Sequence, residues 1–200
     1  MIESCIESPS NTIEKYFMEK LNVPQDIKLE SFMNAIDFDD STDKLNLVYW
    51  LTNAIKSTND YFEEQNKFLL IIGPEEIGKI DLCNWLIPRK IKQYFNMSYK
   101  IRLSNKDETS ILKKCWIIAI TNLSNKYNQI EKLCKYIKYN HLRPNIIGVL
   151  DKNNLQKTSK DYKNVINYVY PIGINHIDWE QLSGKNPDGI WIDVINNIVM

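Results

Sequence analysis

A short apolar run ending in a glycine-framed loop is the feature that most restricts the fold of this chain. Lys67-Phe68-Leu69-Leu70-Ile71-Ile72 is closed by Gly73-Pro74. A continuous apolar stretch of that length reads as a strand buried on both faces of a parallel sheet. Directly after it, Gly73-Pro74-Glu75-Glu76-Ile77-Gly78-Lys79 follows the pattern G-x-x-x-x-G-K-[ST] up to its lysine. Leu82, Cys83 and Leu86 then predict a helix that stops before Pro88. In a strand-loop-helix setting of this kind, backbone N–H groups cradle phosphates and the lysine reaches the β- and γ-phosphates. The final position, whose hydroxyl would bind Mg²⁺, is Ile80, which offers no oxygen. Glu75 and Glu76 add two negative charges to a loop of a type built for anions.

The rest of the chain supplies a sheet for this loop. Residues 116–120 read as a second buried strand, residues 145–150 and 165–170 as further strands, and residues 125–139 as a helix with Ile130, Leu133, Cys134 and Ile137 on one side. Residues 187–199 predict a terminal helix, with Pro187 near its first turn and Ile190, Trp191, Val194, Ile195 and Ile198 facing inward. Alternation of strand and helix predicts an α/β fold: a parallel sheet flanked by helices, like that of P-loop NTPases.

Ahead of it, residues 1–60 read as an N-terminal helical extension, and residues 61–200 as the α/β domain. Asn11 is a candidate cap for a helix presenting Ile13, Phe17 and Leu21, and Pro24 interrupts the pattern. Leu29, Phe32, Met33 and Ile36 recur at helical spacing up to an acidic loop at 37–43. A third helix over 43–56 turns Leu47, Val48, Leu51 and Ile55 inward.

Composition narrows the function classes. Lys+Arg and Asp+Glu are equal at 25 each, so the overall basic charge typical of nucleic-acid binding is missing. Local basic stretches remain at Arg89, Lys90 and Lys92 and around Lys132, Lys135 and Lys138. The four cysteines are scattered without a C-x-x-C pair, and with only His141 and His176 no zinc site is expected. No apolar run approaches the roughly 20 residues a membrane span requires. The start of the chain is acidic and lacks an apolar signal core, so a cytoplasmic protein without membrane contact is expected.

Several stretches, in order, carry a family likeness. They are Ile13-Glu14-Lys15-Tyr16-Phe17, Trp50-Leu51, Leu82-Cys83-Asn84-Trp85-Leu86-Ile87-Pro88, and Ile91-Lys92-Gln93-Tyr94-Phe95. Residues 116–123, His176-Ile177-Asp178-Trp179 and Ile190-Trp191 complete the series. Together with the loop, they resemble the ATPase domain of the virulence-associated protein E family, which is similar to phage and plasmid primase-helicases and to superfamily 3 helicases. The resemblance implies ring-forming, DNA-associated ancestors that bind ATP and Mg²⁺.

The departures from that family fall on its chemistry. Its paired metal-binding acids correspond to Thr121 and Asn122, which carry no charge for a metal. Its polar sensor stretch corresponds to Gly148-Val149-Leu150-Asp151, so Asp151 stands in an altered sensor. Its arginine segment corresponds to Lys163-Asn164-Val165-Ile166-Asn167, without the guanidinium that can be worth about 10³–10⁵ in rate. The DNA-gripping hairpin region is shortened, with only Arg143-Pro144 left of its pattern.

The expected function is therefore that of a catalytically inactive P-loop ATPase-like domain. It keeps a vestigial nucleotide loop at Gly73, Gly78, Lys79 and Ile80, has no catalytic residue, and works through a protein partner or homo-oligomer. One alternative is an active ATPase in which Asp81 or Asp151 helps to hold magnesium. A second is nucleic-acid binding without hydrolysis through Arg89, Lys90, Lys92 and Arg143. Asp178 reads as a capping or packing residue.

Overall fold

The computed structural model describes residues 9–58, 68–98, 103–121, 127–140, 142, 144–155 and 169–199, apart from the side chains of 108, 127–131, 138, 154, 155 and 199. The elements are α1 (Pro9–Lys20), α2 (Leu29–Asn34), β1 (Ile36–Phe38), α3 (Ser41–Lys56), β2 (Phe68–Gly73), α4 (Lys79–Trp85), β3 (Phe95–Ser98), α5 (Lys106–Lys114) and β4 (Ile117–Ile120). They continue with α6 (Tyr127–Tyr139), β5 (Asn145–Asp151), α7 (Lys152–Leu155), β6 (Val169–Ile177), α8 (Trp179–Leu182) and α9 (Asp188–Val199). Two short 3-10 helices, Glu75–Ile77 and Arg89–Tyr94, flank α4.

The strands form one sheet in the order β1-β6-β2-β5-β4-β3, with β1 antiparallel to β6 and all other neighbours parallel. The molecule is thus an α/β protein with a mostly parallel six-stranded sheet between helical layers. Every residue of β2 and β4 is buried, as expected for inner strands of such a sheet. Two hydrophobic clusters cover its faces. The larger joins Leu69, Ile71, Ile117, Ala119, Ile147 and Val149 to α1, α3, α4 and α9; the smaller joins Phe68, Leu70, Ile118, Ile120 and Ile146 to α5 and α6.

Three expectations need correction. Asn11 does not cap α1 but lies inside it, since the helix already begins at Pro9. The helical spacing from Leu29 ends early: α2 stops at Asn34, and Ile36 belongs to β1, whose alternating burial fits a strand. The acidic stretch after it is partly strand, and Asp40 caps α3 in a reciprocal capping box with Asp43, so α3 starts before Asp43. Beyond what was expected, Arg89–Tyr94 forms a 3-10 helix leading into β3, a strand that lacks an apolar alternation to announce it. The N-terminal segment therefore contributes a strand as well as helices, and β1 lies against β6 at the sheet edge. Asn122, His141, Arg143 and residues 163–168 lie outside the described residues.

Candidate functional site

The winding of the sheet marks one crevice. The connection leaving β2 runs through α4 on the face of the larger cluster, whereas α5 and α6, leaving β3 and β4, cover the opposite face. Right-handed crossovers demand this when the chain first moves outward and then returns. The direction reverses beside β2, and ligands of open α/β sheets bind at the carboxyl ends of strands at such a reversal. The glycine-framed loop stands there.

Gly73 is the last residue of β2 and runs so close to β6 that a Cβ would lie 2.3 Å from the Ile174 carbonyl oxygen. The 3-10 turn Glu75–Ile77 follows. Gly78 then takes φ 79° and ψ 32°, a left-handed conformation that glycine adopts without the usual Cβ clash. Lys79 opens α4 and is only 4% exposed. Its Nζ donates to the Gly73 carbonyl at 2.8 Å and also to the Pro74 carbonyl. An ammonium has three N–H donors, so two tie the loop back to its own first residues and one is left over. Burial holds the ammonium below the usual lysine range, opposed by the carboxylates of Asp151 and Glu75.

Asp151 ends β5 and pairs in register with Gly73. Strand alternation puts it on the same face as Val149, where α4 also packs. Its Oδ1 accepts the Asn153 N–H at 2.7 Å. Thr121, by contrast, follows β4, which β5 separates from β2. Its N–H donates to the Ser98 carbonyl at 3.0 Å. Ile80 is 42% exposed and puts an aliphatic side chain where a metal-binding hydroxyl was expected. Glu75 and Glu76 are exposed on the rim. The donor left on Lys79 suits a phosphate group, whereas Ile80 and Thr121 do not suit magnesium beside it. Among the described residues, no three His, Cys, Asp or Glu side chains converge to hold a metal.

The structure brings Gly73, Gly78, Lys79, Ile80 and Asp151 together and leaves Arg89, Lys90 and Lys92 elsewhere. Arg89, Lys90 and Lys92 follow α4, away from the loop; Lys92 Nζ donates to the Asn84 carbonyl at 3.2 Å. The nearby Tyr94 and Phe95 pack against the larger core cluster instead of offering open stacking faces.

Sequence reasoning gave no part in the loop to Trp179. Its indole Nε1 donates to the Ile77 carbonyl at 3.3 Å, and its ring lies where a Cβ on Gly78 would approach within 2.9 Å. Asp178 holds that tryptophan in place by capping α8, accepting the N–H groups of Glu180 and Gln181. On the opposite sheet face, Lys152 reaches across the end of β2 to both carboxylate oxygens of Asp39 at 3.2 Å and to Asn175 Oδ1 at 3.4 Å. Among the described residues, no helix is long and apolar enough to cross a membrane. Set against models of known protein families and against curated protein sequences, the chain matches none.

Proposed function

We propose that this chain is a catalytically inactive P-loop ATPase-like domain, a degenerate relative of the virulence-associated protein E family of phage or mobile-element origin. In this reading it works as a protein-interaction or regulatory module, alone as a homo-oligomer or beside an active relative. The observation that carries the proposal is Ile80. A half-exposed aliphatic side chain follows the loop lysine, so the position that would give magnesium a hydroxyl beside the β- and γ-phosphates offers no oxygen. Thr121 compounds the loss, because a hydroxyl cannot supply the charge of a metal-binding carboxylate.

One observation favours a second reading, in which the loop still takes a nucleotide with magnesium. Asp151 is the register partner of Gly73 and interacts electrostatically with Lys79, so a carboxylate does stand beside the phosphate position. Magnesium is commonly held by one or two carboxylates together with substrate phosphates.

One set of measurements separates the two. Phosphate release from ATP with magnesium should equal the buffer blank for the wild type and for Lys79→Ala alike. Turnover that disappears in Lys79→Ala and falls strongly in Asp151→Asn would establish the second reading and end the first. Light scattering, alone and with a co-encoded helicase, tests the interaction role: a strict monomer with no partner contradicts it.

A further inference from the structure

We infer that the α5–α6 face, remote from the loop, is a binding surface for the backbone of a single-stranded nucleic acid. The chain as a whole has no net charge, yet these two helices together hold six lysines against three acids. Among the side chains described there, Lys106, Lys113, Lys114, Lys132 and Lys135 are exposed, and Asp107 is the exposed carboxylate. Other helices do not share this bias: the exposed charges of α1 are Glu14, Lys15 and Glu19, and those of α4 reduce to Asp81. Lys106, Lys113, Lys114 and Lys132 have no carboxylate partner among the described residues. Their charge is therefore turned to solvent.

The topology gathers these lysines. Both helices return the chain from the carboxyl to the amino ends of the strands, so they run side by side in the same direction over the smaller core cluster. Because both helices pack on that one cluster, their lysines lie on the same side of the sheet, open to one strand of phosphates. Lys113 and Lys114 end α5, and Tyr139 ends α6 at the same edge, 85% exposed. A cleft of about 220 Å³ at that end is shared with the opposite layer: Leu112, Lys113 and Leu142 line it together with Ser10 and Ile13 of α1 and Ser57 after α3. Cations that follow a phosphate backbone, with an exposed aromatic ring on which bases stack, are the two components of single-strand binding. This surface is independent of the loop reading: it stands whether or not ATP is turned over.

The test is fluorescence anisotropy of a labelled thymidine oligonucleotide long enough to cover both helices, titrated with the full chain at several salt concentrations. Wild type should bind with a steep salt dependence. Lys113→Glu/Lys114→Glu/Lys132→Glu should weaken binding at least ten-fold and, since single strands lose about 0.7 of a salt-slope unit per contact, flatten the slope by about 2. A control with the same charge change elsewhere, Lys15→Glu/Lys28→Glu/Lys185→Glu, should bind within about two-fold of wild type if the face and not the total charge matters. Tyr139→Ala should weaken single-strand binding about five-fold or more and leave duplex binding unchanged. An equal loss in the control variant, no salt-sensitive binding by the wild type, or displacement by polyglutamate as readily as by unlabelled oligonucleotide would each overturn the assignment. The last outcome would assign the face to an acidic protein.

Discussion

Lys79 does two jobs with one ammonium. Donating to the Gly73 and Pro74 carbonyls, it closes the loop on itself, and its remaining donor is the only part of the side chain left for a ligand. The loop thus keeps its shape through contacts that need no nucleotide. Trp179 adds a second brace from outside, against Gly78 and on the Ile77 carbonyl. Gly78→Ala should therefore destabilise the protein on two counts. A left-handed alanine costs about 1–2 kcal/mol, and the new methyl group must displace the indole ring. In a Trp179→Ala background only the backbone cost should remain, so a double-mutant cycle read from urea unfolding should give clear coupling; strict additivity would mean that the ring does not press on Gly78. The glycines and the lysine were legible in the sequence because their function fixes their spacing. Trp179 was not, since nothing local ties it to a loop a hundred residues earlier. Asp151 was legible as a departure from the family sensor and as a candidate magnesium holder, whereas the strand register that places it beside Gly73 emerges from the fold.

At the level of elements, the first half of β6 would be an open sheet edge, because β1 covers only its second half. The N-terminal turns of α3 close it. Pro171 has no N–H to offer, and its carbonyl accepts from Asn46 Nδ2 at 2.8 Å. Gly173 donates its N–H to the Asp43 carboxylate, and its carbonyl accepts the Asp39 N–H at 3.0 Å. These contacts occupy the edge groups of Pro171 and Gly173 that another chain could pair with, a known defence against aggregation. Asp43 carries a cost for this. Burial raises its carboxyl above the usual range, helped by the nearby Asp40 and Asp39, while the bonds from Gly173 and Asp40 work against the rise. A raised carboxyl favours the folded state most fully below its unfolded value and loses that contribution as pH climbs through the folded one. Asp43→Asn keeps an acceptor and drops the charge. Its stability relative to wild type should rise from pH 4 toward neutrality, in denaturant midpoints taken across that range. Asp43→Leu should instead cost about 1–3 kcal/mol by leaving two N–H groups unpaired. A pH-independent difference between Asp43→Asn and wild type would contradict the burial argument. β1 and β3 escaped sequence reading for a physical reason. Both are short, and an apolar spacing shared with a preceding helix or a polar edge composition masks a period of two.

Across the whole molecule, the first and last described helices, α1 and α9, meet in one core. Phe17 of α1 lies 5.8 Å from the Trp116 ring and 6.1 Å from Trp191, while Trp116 and Trp191 are 4.9 Å apart. Their indoles donate to the carbonyls of Ala54 and Leu86, which fastens α3 and the end of α4 to the same cluster. At the start of β5, Asn145 Nδ2 donates to Ser57 Oγ at 2.8 Å and to the Trp116 carbonyl at 3.2 Å, joining the end of α3 to the sheet. The apolar members of this core were readable from their helical and strand spacing, whereas the polar ties were not, because each joins residues far apart in the chain. Tyr16 is the sharpest case. Its hydroxyl donates to Asp188 at 2.7 Å, and Asp188, 1% exposed, has Lys20 as its other charged neighbour at 3.6 Å. Tyr16→Phe keeps the ring packing but removes a buried hydrogen bond to a carboxylate, a loss of about 1.5–3 kcal/mol. Because α1 and α9 share that core, the loss should lower the denaturant midpoint for tryptophan emission and for helical circular dichroism together, in a single transition. If α1 instead came away first, circular dichroism would fall before the tryptophan signal, and the N-terminal helices would be an appendage to the α/β sheet instead of part of its core.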